Sequence, residues 1–346
     1  MSGKGGLLFV GATGRGQTSG RRAELFGRDG WDVIPVGFDL ALDRSSPVER
    51  QLALRLQFGP MIRRYNEDIL VAAEAIGRGS AAFFDKPVFV EPNTLLRLRE
   101  LGVRTVSYMP DDPFGPRKDG LWRLFTKVLP LFDVHIVPRF VTAEDFRARG
   151  AREVLTKHFG FDPRYHWPEQ PPRTRFELGY SYIGFPHEHR PEFLLNLKQA
   201  LEPSRVRLSV FGPGWHSWRR RLEGEKLQAK PALWDEDYRA GIWNSLACLA
   251  FVTRMNRDEI SHKAIEIAAC GRPPVLEPAP AHMALFKDGE SAIFFSSAEE
   301  CAEKLLYYSD RIDDVQRMGR AAAARVREAG YSEADLIALA DQALRP

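Results

Sequence analysis

Apolar residues along this 346-residue chain follow two rhythms that alternate from one end to the other. Short runs dense in Val, Ile, Leu and Phe read as buried strands. Between them the apolar positions spread to spacings of three and four, the period of a helix with one covered face. In the first half, strands are predicted at 7–11, 33–38, 81–90, 104–109 and 134–138. The stretch 93–102, NTLLRLRELG, predicts a helix that ends on Gly102. Segment 166–179, HWPEQPPRTRFELG, breaks the rhythm, and its prolines and flanking charges predict a linker. A second series then begins, with strands at 180–185, 206–212, 246–252, 273–277 and 292–295, and the chain closes in helices over 298–310, 314–329 and 332–345. Alternation of this kind predicts an α/β fold of parallel βαβ units in two Rossmann-like domains. The expected boundaries are an N-terminal domain 1–168, a linker 169–179, a second domain 180–330, and a C-terminal helix 331–346 free to pack back on the first domain. Two such domains facing a cleft would each present to it the loops beyond their strands' carboxyl ends.

Composition narrows the class. With 44% hydrophobic and 27% charged residues the chain reads as globular, and a net charge of +3 is too small to argue for nucleic acid. Cys248, Cys270 and Cys301 are scattered, with no C-x-x-C pair, which argues against a disulfide framework or a zinc knuckle and fits a reducing compartment. MSGKGG runs straight into a strand without the apolar core of a signal peptide, and no apolar run approaches the roughly 18 residues that span a bilayer. A cytoplasmic location is therefore expected. There is no short-period repeat.

Two stretches concentrate the chemistry. FVGATGRGQTSGRRAELF (9–26) has the Gly-x-x-x-x-Gly frame of a P-loop, but Gln17 stands where the phosphate-binding Lys belongs. As a dinucleotide fingerprint it lacks the third Gly, again at Gln17. The nearby acid for a ribose would be Asp39, just past the second strand. The second stretch, TRMNRDEISHKAIEIAACG (253–271), follows a buried-looking strand and opens a helix near Ser261, a good N-cap. Asp258 in the loop and Glu266 in the helix are eight apart, so both can face one pocket, where carboxylates accept hydrogen bonds from vicinal hydroxyls. The helix N-terminus offers amides to a phosphate. Glu259, Lys263 and Glu266 also fit a plain solvated face with i,i+3 and i,i+4 pairing.

SHKAIEIAACG resembles the S-x-R-x-F-E-x-x-A-C-G hallmark of GT-B-fold glycosyltransferases, nearest to the CgeB-like, spore-protein-type branch. YSYIGFPHEHR (180–190), VFGPGW (210–215) and LFKDGESAIFFSSAEECAEKLLYY (285–308) are similar to the donor domain of that family. VSYMPDDP (106–113) and FDVHIVP (132–138) are fainter counterparts in the first half. The resemblance implies two Rossmann-like domains and transfer of a sugar from a nucleotide-diphosphate sugar such as a UDP-sugar, which is a co-substrate, so no cofactor is expected. It implies that Glu266 holds the ribose hydroxyls and that Asp258 stands at the first acid of an E-x7-E pair that contacts the transferred sugar, one methylene shorter. Lys263 replaces the motif's Arg, keeping the charge without the bidentate fork, and Ile265 replaces its Phe. Gly184, Arg190, Gly212 and Gly214 would lie by the diphosphate, with Arg257 also on the donor side. The D-x7-E likeness implies retention of anomeric configuration.

Such chemistry needs no metal, because Arg190, Lys263 and helix N-termini can offset the charge that builds on the leaving diphosphate. The alternative, a D-x-D metal site at Asp235-Glu236-Asp237, reads instead as the acidic first turn of a helix 235–245. Asp111 and Asp112 end a strand and are candidates for a catalytic base or acceptor-orienting group, or else for a turn before Pro113. In this architecture Gly14, Gly16, Gln17 and Thr18 form a cleft-lining turn on the acceptor side, with Thr18 or Ser19 capping the helix that carries Arg21 and Arg22. GWHSWRRRLEG (214–224) interleaves Trp and Arg, suiting either a clamp on a glycan or nucleic acid or an amphipathic surface helix. His135 and His158 read as structural. The expected function is a metal-independent, retaining hexosyl- or pentosyltransferase. Its acceptor class is open among glycan, protein, small molecule and nucleic-acid base. The alternatives are a non-catalytic sugar-nucleotide-binding protein on the same scaffold and an NAD(P)-dependent oxidoreductase built on 9–26.

Overall fold

The strands of both sheets pair in parallel, each reached by a crossover, and their inner strands are buried while the edge strands Asp32–Gly37 and Leu227–Lys230 are partly exposed. The structure, a computed structural model, describes residues 4–14, 17–77, 80–116, 121–169, 175–222, 224 and 227–345. Its packing divides the chain into two units, Met1–His158 with Ala334–Pro346, and Phe159–Glu333. The division falls at His158 rather than within 166–179, because Phe161, His166 and Trp167 pack with the second unit. Part of the predicted linker, 170–174, lies outside the described residues.

The first unit is built on β1 (Gly6–Gly11), β2 (Asp32–Gly37), β3 (Ala81–Asp85), β4 (Arg104–Tyr108), β5 (Val134–Val137) and β6 (Val154–Thr156), in the order β2-β1-β3-β4-β5-β6. The predicted strand 81–90 stops at Asp85, because Lys86 takes a left-handed φ of 56° and Pro87 follows it. The strand β6 was not expected: VLT is too short to show a period. One face of the sheet is covered by the helix Glu333–Leu344, whose Leu336, Ile337, Ala340 and Leu344 join Leu7, Phe9, Phe83 and Val106 in one apolar cluster. Asp341 fixes that helix by accepting from Trp31 Nε1 at 2.9 Å and pairing with Lys4 at 3.1 Å.

The second unit holds β7 (Gly179–Ile183), β8 (Leu208–Phe211), β9 (Leu227–Lys230), β10 (Ser245–Ala250), β11 (Pro274–Leu276) and β12 (Ile293–Phe294). Their spatial order is β12-β11-β10-β7-β8-β9, the Rossmann order read from the far edge. The strand β9 was likewise missed, since LQAK alternates weakly and pairs only at the sheet edge, with β8.

His135 is a structural residue of the first unit. It is fully buried, lies 2.5 Å from Ser107 Oγ through Nδ1 and 2.8 Å from the Leu129 carbonyl through Nε2, and is ringed by Phe125, Phe132 and Phe146. Burial pushes its pKa down to about 4. The unfolded chain therefore takes up this proton near pH 6.5 while the folded chain resists until about pH 4, so folding stability falls as pH drops through that window. The expected loss attributable to this residue is about 3 kcal/mol. Urea unfolding between pH 7 and pH 4 checks it, since His135→Phe should flatten the profile in that range.

Candidate functional site

In the second sheet the chain leaves β7 towards β8 and β9 on one side and leaves β10 towards β11 and β12 on the other. The loops beyond the carboxyl ends of β7 and β10 therefore diverge, and ligands of open α/β sheets bind in the crevice this creates. Arg190 spans that point. It is the first residue of the helix Arg190–Leu201, and only 7% of it is exposed. Its guanidinium reaches the Tyr182 hydroxyl of β7 at 3.4 Å and the Thr253 hydroxyl of the loop after β10 at 3.0 Å, tying the start of its helix to both. Its Nε is buried with no hydrogen-bond acceptor, and no carboxylate among the described residues pairs with it. A buried cation served by two neutral oxygens is a vacancy for an anion.

The glycines beside it are forced by close approach. Gly184 follows β7, and its carbonyl accepts from Trp215 Nε1 at 2.7 Å. A Cβ on Gly212, which has φ of 148°, would run into that same carbonyl, and Gly214 takes a left-handed φ of 87° against Pro186. The turns after β7 and β8 thus lock together through backbone at Gly184 and Gly212, with Gly214 against Pro186. The Trp/Arg stretch resolves into a buried Trp215 and the short helix Arg219–Leu222, with Arg221 over the Trp218 ring.

Acids hold the loop after β10 in shape. Glu188 accepts from the amides of Arg254 at 3.1 Å and Met255 at 2.8 Å. Glu277 accepts from the Val252 amide at 3.0 Å and pairs with Arg254. Asp258 accepts from the Thr253 amide at 3.3 Å, closing the loop, and Arg257 beside it is left-handed, with φ of 48°. Ser261 occupies the N-cap of the helix His262–Ala269, but its side chain makes no capping bond; its amide is held instead by His282 Nε2 at 2.9 Å. The acids Asp235, Glu236 and Asp237 lie in the first turn of the helix Asp235–Trp243.

Glu266 is buried, which removes the solvated-face alternative, although the pairing with Lys263 that it predicted is present at 3.2 Å. Tyr238 donates to its Oε2 at 2.7 Å, and the imidazoles of His262 and His166 stand 3.6 and 3.7 Å from its Oε1. Burial by itself would raise its pKa; Lys263 and the two imidazoles outweigh that and hold it well below the usual carboxylate range. Tyr238, pushed far above its ordinary pKa by burial and by the Glu266 charge, stays a protonated donor. Sequence reasoning missed Tyr238 and His166, because neither belongs to a spaced motif and both reach Glu266 only through folding.

The first unit answers the question of the glycine loop. Asp39 accepts from the amides of Thr13 at 3.1 Å and Gly14 at 2.6 Å, so a carboxylate of the chain already sits where a P-loop would hold phosphate. Both oxygens of Asp39 are thus engaged within its own loop. The helix Thr18–Arg28 has Gln17 at its N-cap without a side-chain bond, so neither Thr18 nor Ser19 caps it. Gly16 lies outside the described residues. Arg22 forms a buried ion pair with Asp85 at 2.9 Å, with its guanidinium over the Tyr108 ring. Asp111 pairs with Lys86 at 2.5 Å, while Asp112 is fully buried and accepts from the Phe114 amide two residues on, the geometry of a turn.

Two parallel six-stranded Rossmann-like sheets with flanking helices match the GT-B fold of glycosyltransferase structures. Residues 190–338 match the glycosyl transferase-like family model. Among solved structures, the chain is similar to a sucrose-phosphate synthase of Thermosynechococcus elongatus, at 12% identity over 98% of both chains with a TM-score of 0.69. It is similar to HepE of Anabaena in complex with UDP-glucose, at 12% identity over 98% of both chains with a TM-score of 0.66. A glycosyltransferase of Rickettsia africae is similar at 13% identity, 98% of both chains and a TM-score of 0.65. No curated protein matches the sequence significantly. No helix among the described residues is long and apolar enough to cross a membrane.

Replacing Asp39 by Ala strands the Thr13 and Gly14 amides and removes two charge-assisted bonds. The expected cost is about 1–3 kcal/mol, read as a lower midpoint in urea unfolding. An unchanged midpoint would show that the loop does not depend on its internal anion.

Proposed function

We propose that this protein is a glycosyltransferase that moves a sugar from a nucleotide-diphosphate sugar to an acceptor. The observation that carries the reading is Arg190, a buried guanidinium without a carboxylate at the switch point of the second sheet. The family match over 190–338 begins at this residue, and the HepE complexes with UDP and UDP-glucose make a UDP-sugar the first donor to test. In this reading Arg190 holds the diphosphate together with the amides around Gly184, Gly212 and Gly214, and Glu266 accepts from the ribose hydroxyls. Lys263, with its ammonium 4.0 Å from the centre of the Tyr238 ring, adds positive charge on the same side.

Transfer breaks the bond between the anomeric carbon and the diphosphate oxygen and joins that carbon to an acceptor oxygen. The acceptor's proton leaves to a base, and the nucleoside diphosphate departs with the bonding pair. Negative charge grows on the leaving group as the bond breaks, and Arg190, fixed before the reaction starts, offsets it with little reorganisation. The sequence likeness at Asp258 and Glu266 supports retention, and cationic side chains facing the diphosphate support a reaction without a metal. Asp111, the more accessible acid at the end of β4, is the proposed acceptor-side group; Asp112 is spent on its turn. The tie between Asp258 and Thr253 favours one second reading, in which the protein binds a sugar nucleotide without turning it over.

Thermal unfolding with UDP-, GDP-, ADP- and dTDP-sugars and NAD(H) tests the donor, and release of nucleoside diphosphate tests turnover. A ligand at 100 times its Kd adds about 2.7 kcal/mol to stability, enough for a clear rise in Tm. One nucleotide family should stabilise the wild type, and Arg190→Ala should weaken its binding about tenfold or more. Stabilisation by NAD(H) alone, untouched by Arg190→Ala, would sink the proposal; binding without any release would leave the non-catalytic reading.

A further inference from the structure

The two oxygens of Glu266 are served unequally. Oε2 takes both short contacts, from the Tyr238 hydroxyl at 2.7 Å and from Lys263 Nζ at 3.2 Å. Oε1 has only imidazole nitrogens nearby, His262 Nε2 at 3.6 Å and His166 Nε2 at 3.7 Å, both beyond hydrogen-bond range. The His262 nitrogen is already engaged with the Gly160 carbonyl at 2.9 Å, and since a carbonyl only accepts, its proton points there. His166 Nδ1 accepts from the Asp162 amide at 3.2 Å, which places its ring proton on Nε2, on the side of Oε1. Oε1 is therefore an ionised acceptor with no hydrogen bond from the described residues, held within a buried setting.

What fixes this asymmetry is Tyr238. The residue is buried in the helix Asp235–Trp243, and its ring makes three contacts at once. Its hydroxyl binds Oε2, its face carries the Lys263 ammonium 4.0 Å from the centroid, and His166 meets it in a T-shaped contact at 6.0 Å. His166 comes from a turn whose Tyr165 carbonyl accepts from Arg239 at 3.1 Å, with the Arg239 guanidinium 3.7 Å over the Trp167 ring. The run-up to the Pro-rich stretch is thus packed against Glu266 and Tyr238 through His166.

We infer that Tyr238 and His166 are positioning residues that pin Glu266 with Oε1 free for the ribose hydroxyls, so that the site selects ribonucleotide donors over those lacking these hydroxyls. This rests on the proposed donor-binding reading. A carboxylate free to rotate would spread its acceptance between two oxygens and lose that discrimination.

Titration calorimetry on the full chain with UDP, GDP, ADP and CDP and their 2′,3′-dideoxy forms tests it. The wild type should bind one ribonucleoside diphosphate about tenfold or more tighter than its dideoxy form. Tyr238→Phe, which keeps the ring and its packing, should weaken the ribonucleotide about tenfold, leave the dideoxy form unchanged and bring their ratio towards one. His166→Gln should act in the same direction by less, and both variants should keep the wild-type circular dichroism. Equal weakening of both nucleotides in Tyr238→Phe would show a merely structural role and overturn the inference, as would an unaltered ratio. A wild type that binds a nucleoside diphosphate without preferring the ribo form would overturn the inference alone. If no nucleoside diphosphate binds the wild type, the proposed function falls, and this inference with it.

Discussion

Arg190 is held where three effects oppose a cation. It is buried; its partners are neutral hydroxyls; and it opens a helix, where the macrodipole is positive. Each alone makes the folded chain less stable than it would be with an apolar residue of similar volume. Such an arrangement leaves the guanidinium without a matching negative charge, and the strand order puts it where the connections part. Only at the carboxyl ends of β7 and β10 do the connections part, and Arg190 links β7 to the loop after β10 through Tyr182 and Thr253. The surrounding glycines follow from the same constraint, since Gly184 and Gly212 touch through bare backbone.

Glu266 is the complement of Arg190. A buried carboxylate is tolerable only with cationic and hydrogen-bonding neighbours, and it has Lys263 and Tyr238 on one oxygen. Its charge is thereby kept at any ordinary pH, while its second oxygen stays open. One unit therefore presents a cation that lacks an anion and an anion that lacks part of its donors. In the proposed function those two features meet a diphosphate attached to a ribose. The first unit shows the opposite economy: around its glycine loop and strand ends, Asp39, Asp85 and Asp111 each find an internal partner.

The alternation of apolar runs made the α/β architecture and the main strands of both sheets legible, because buried parallel strands are continuous and apolar. It failed at β6 and β9, short strands at sheet edges whose pairing depends on a neighbour already in place. It overran β3, where the apolar run continues past Pro87 into a loop that is buried without being a strand. Among the candidate residues, the sequence singles out Glu266 through its motif and Arg190 through its place after the first strand of the second unit, and both side chains are buried. Tyr238 and His166 were not, since a side chain that serves another leaves no spacing of its own in the sequence. The same holds for Asp39, whose role appears only when its carboxylate is seen on the amides of Thr13 and Gly14.

The helix Glu333–Leu344 supplies Leu336, Ile337 and Ala340 to the core of the unit that begins at the other end of the chain. During synthesis the first sheet emerges early but lacks the apolar cover for one face until the helix Glu333–Leu344 has been made. Phe159–Glu333, in contrast, is contiguous and complete before that. The usual order, in which the N-terminal part of a nascent chain matures first, is thus inverted: the later-made unit can finish while the earlier one waits, with Leu7, Phe9 and Phe83 in need of protection on the ribosome.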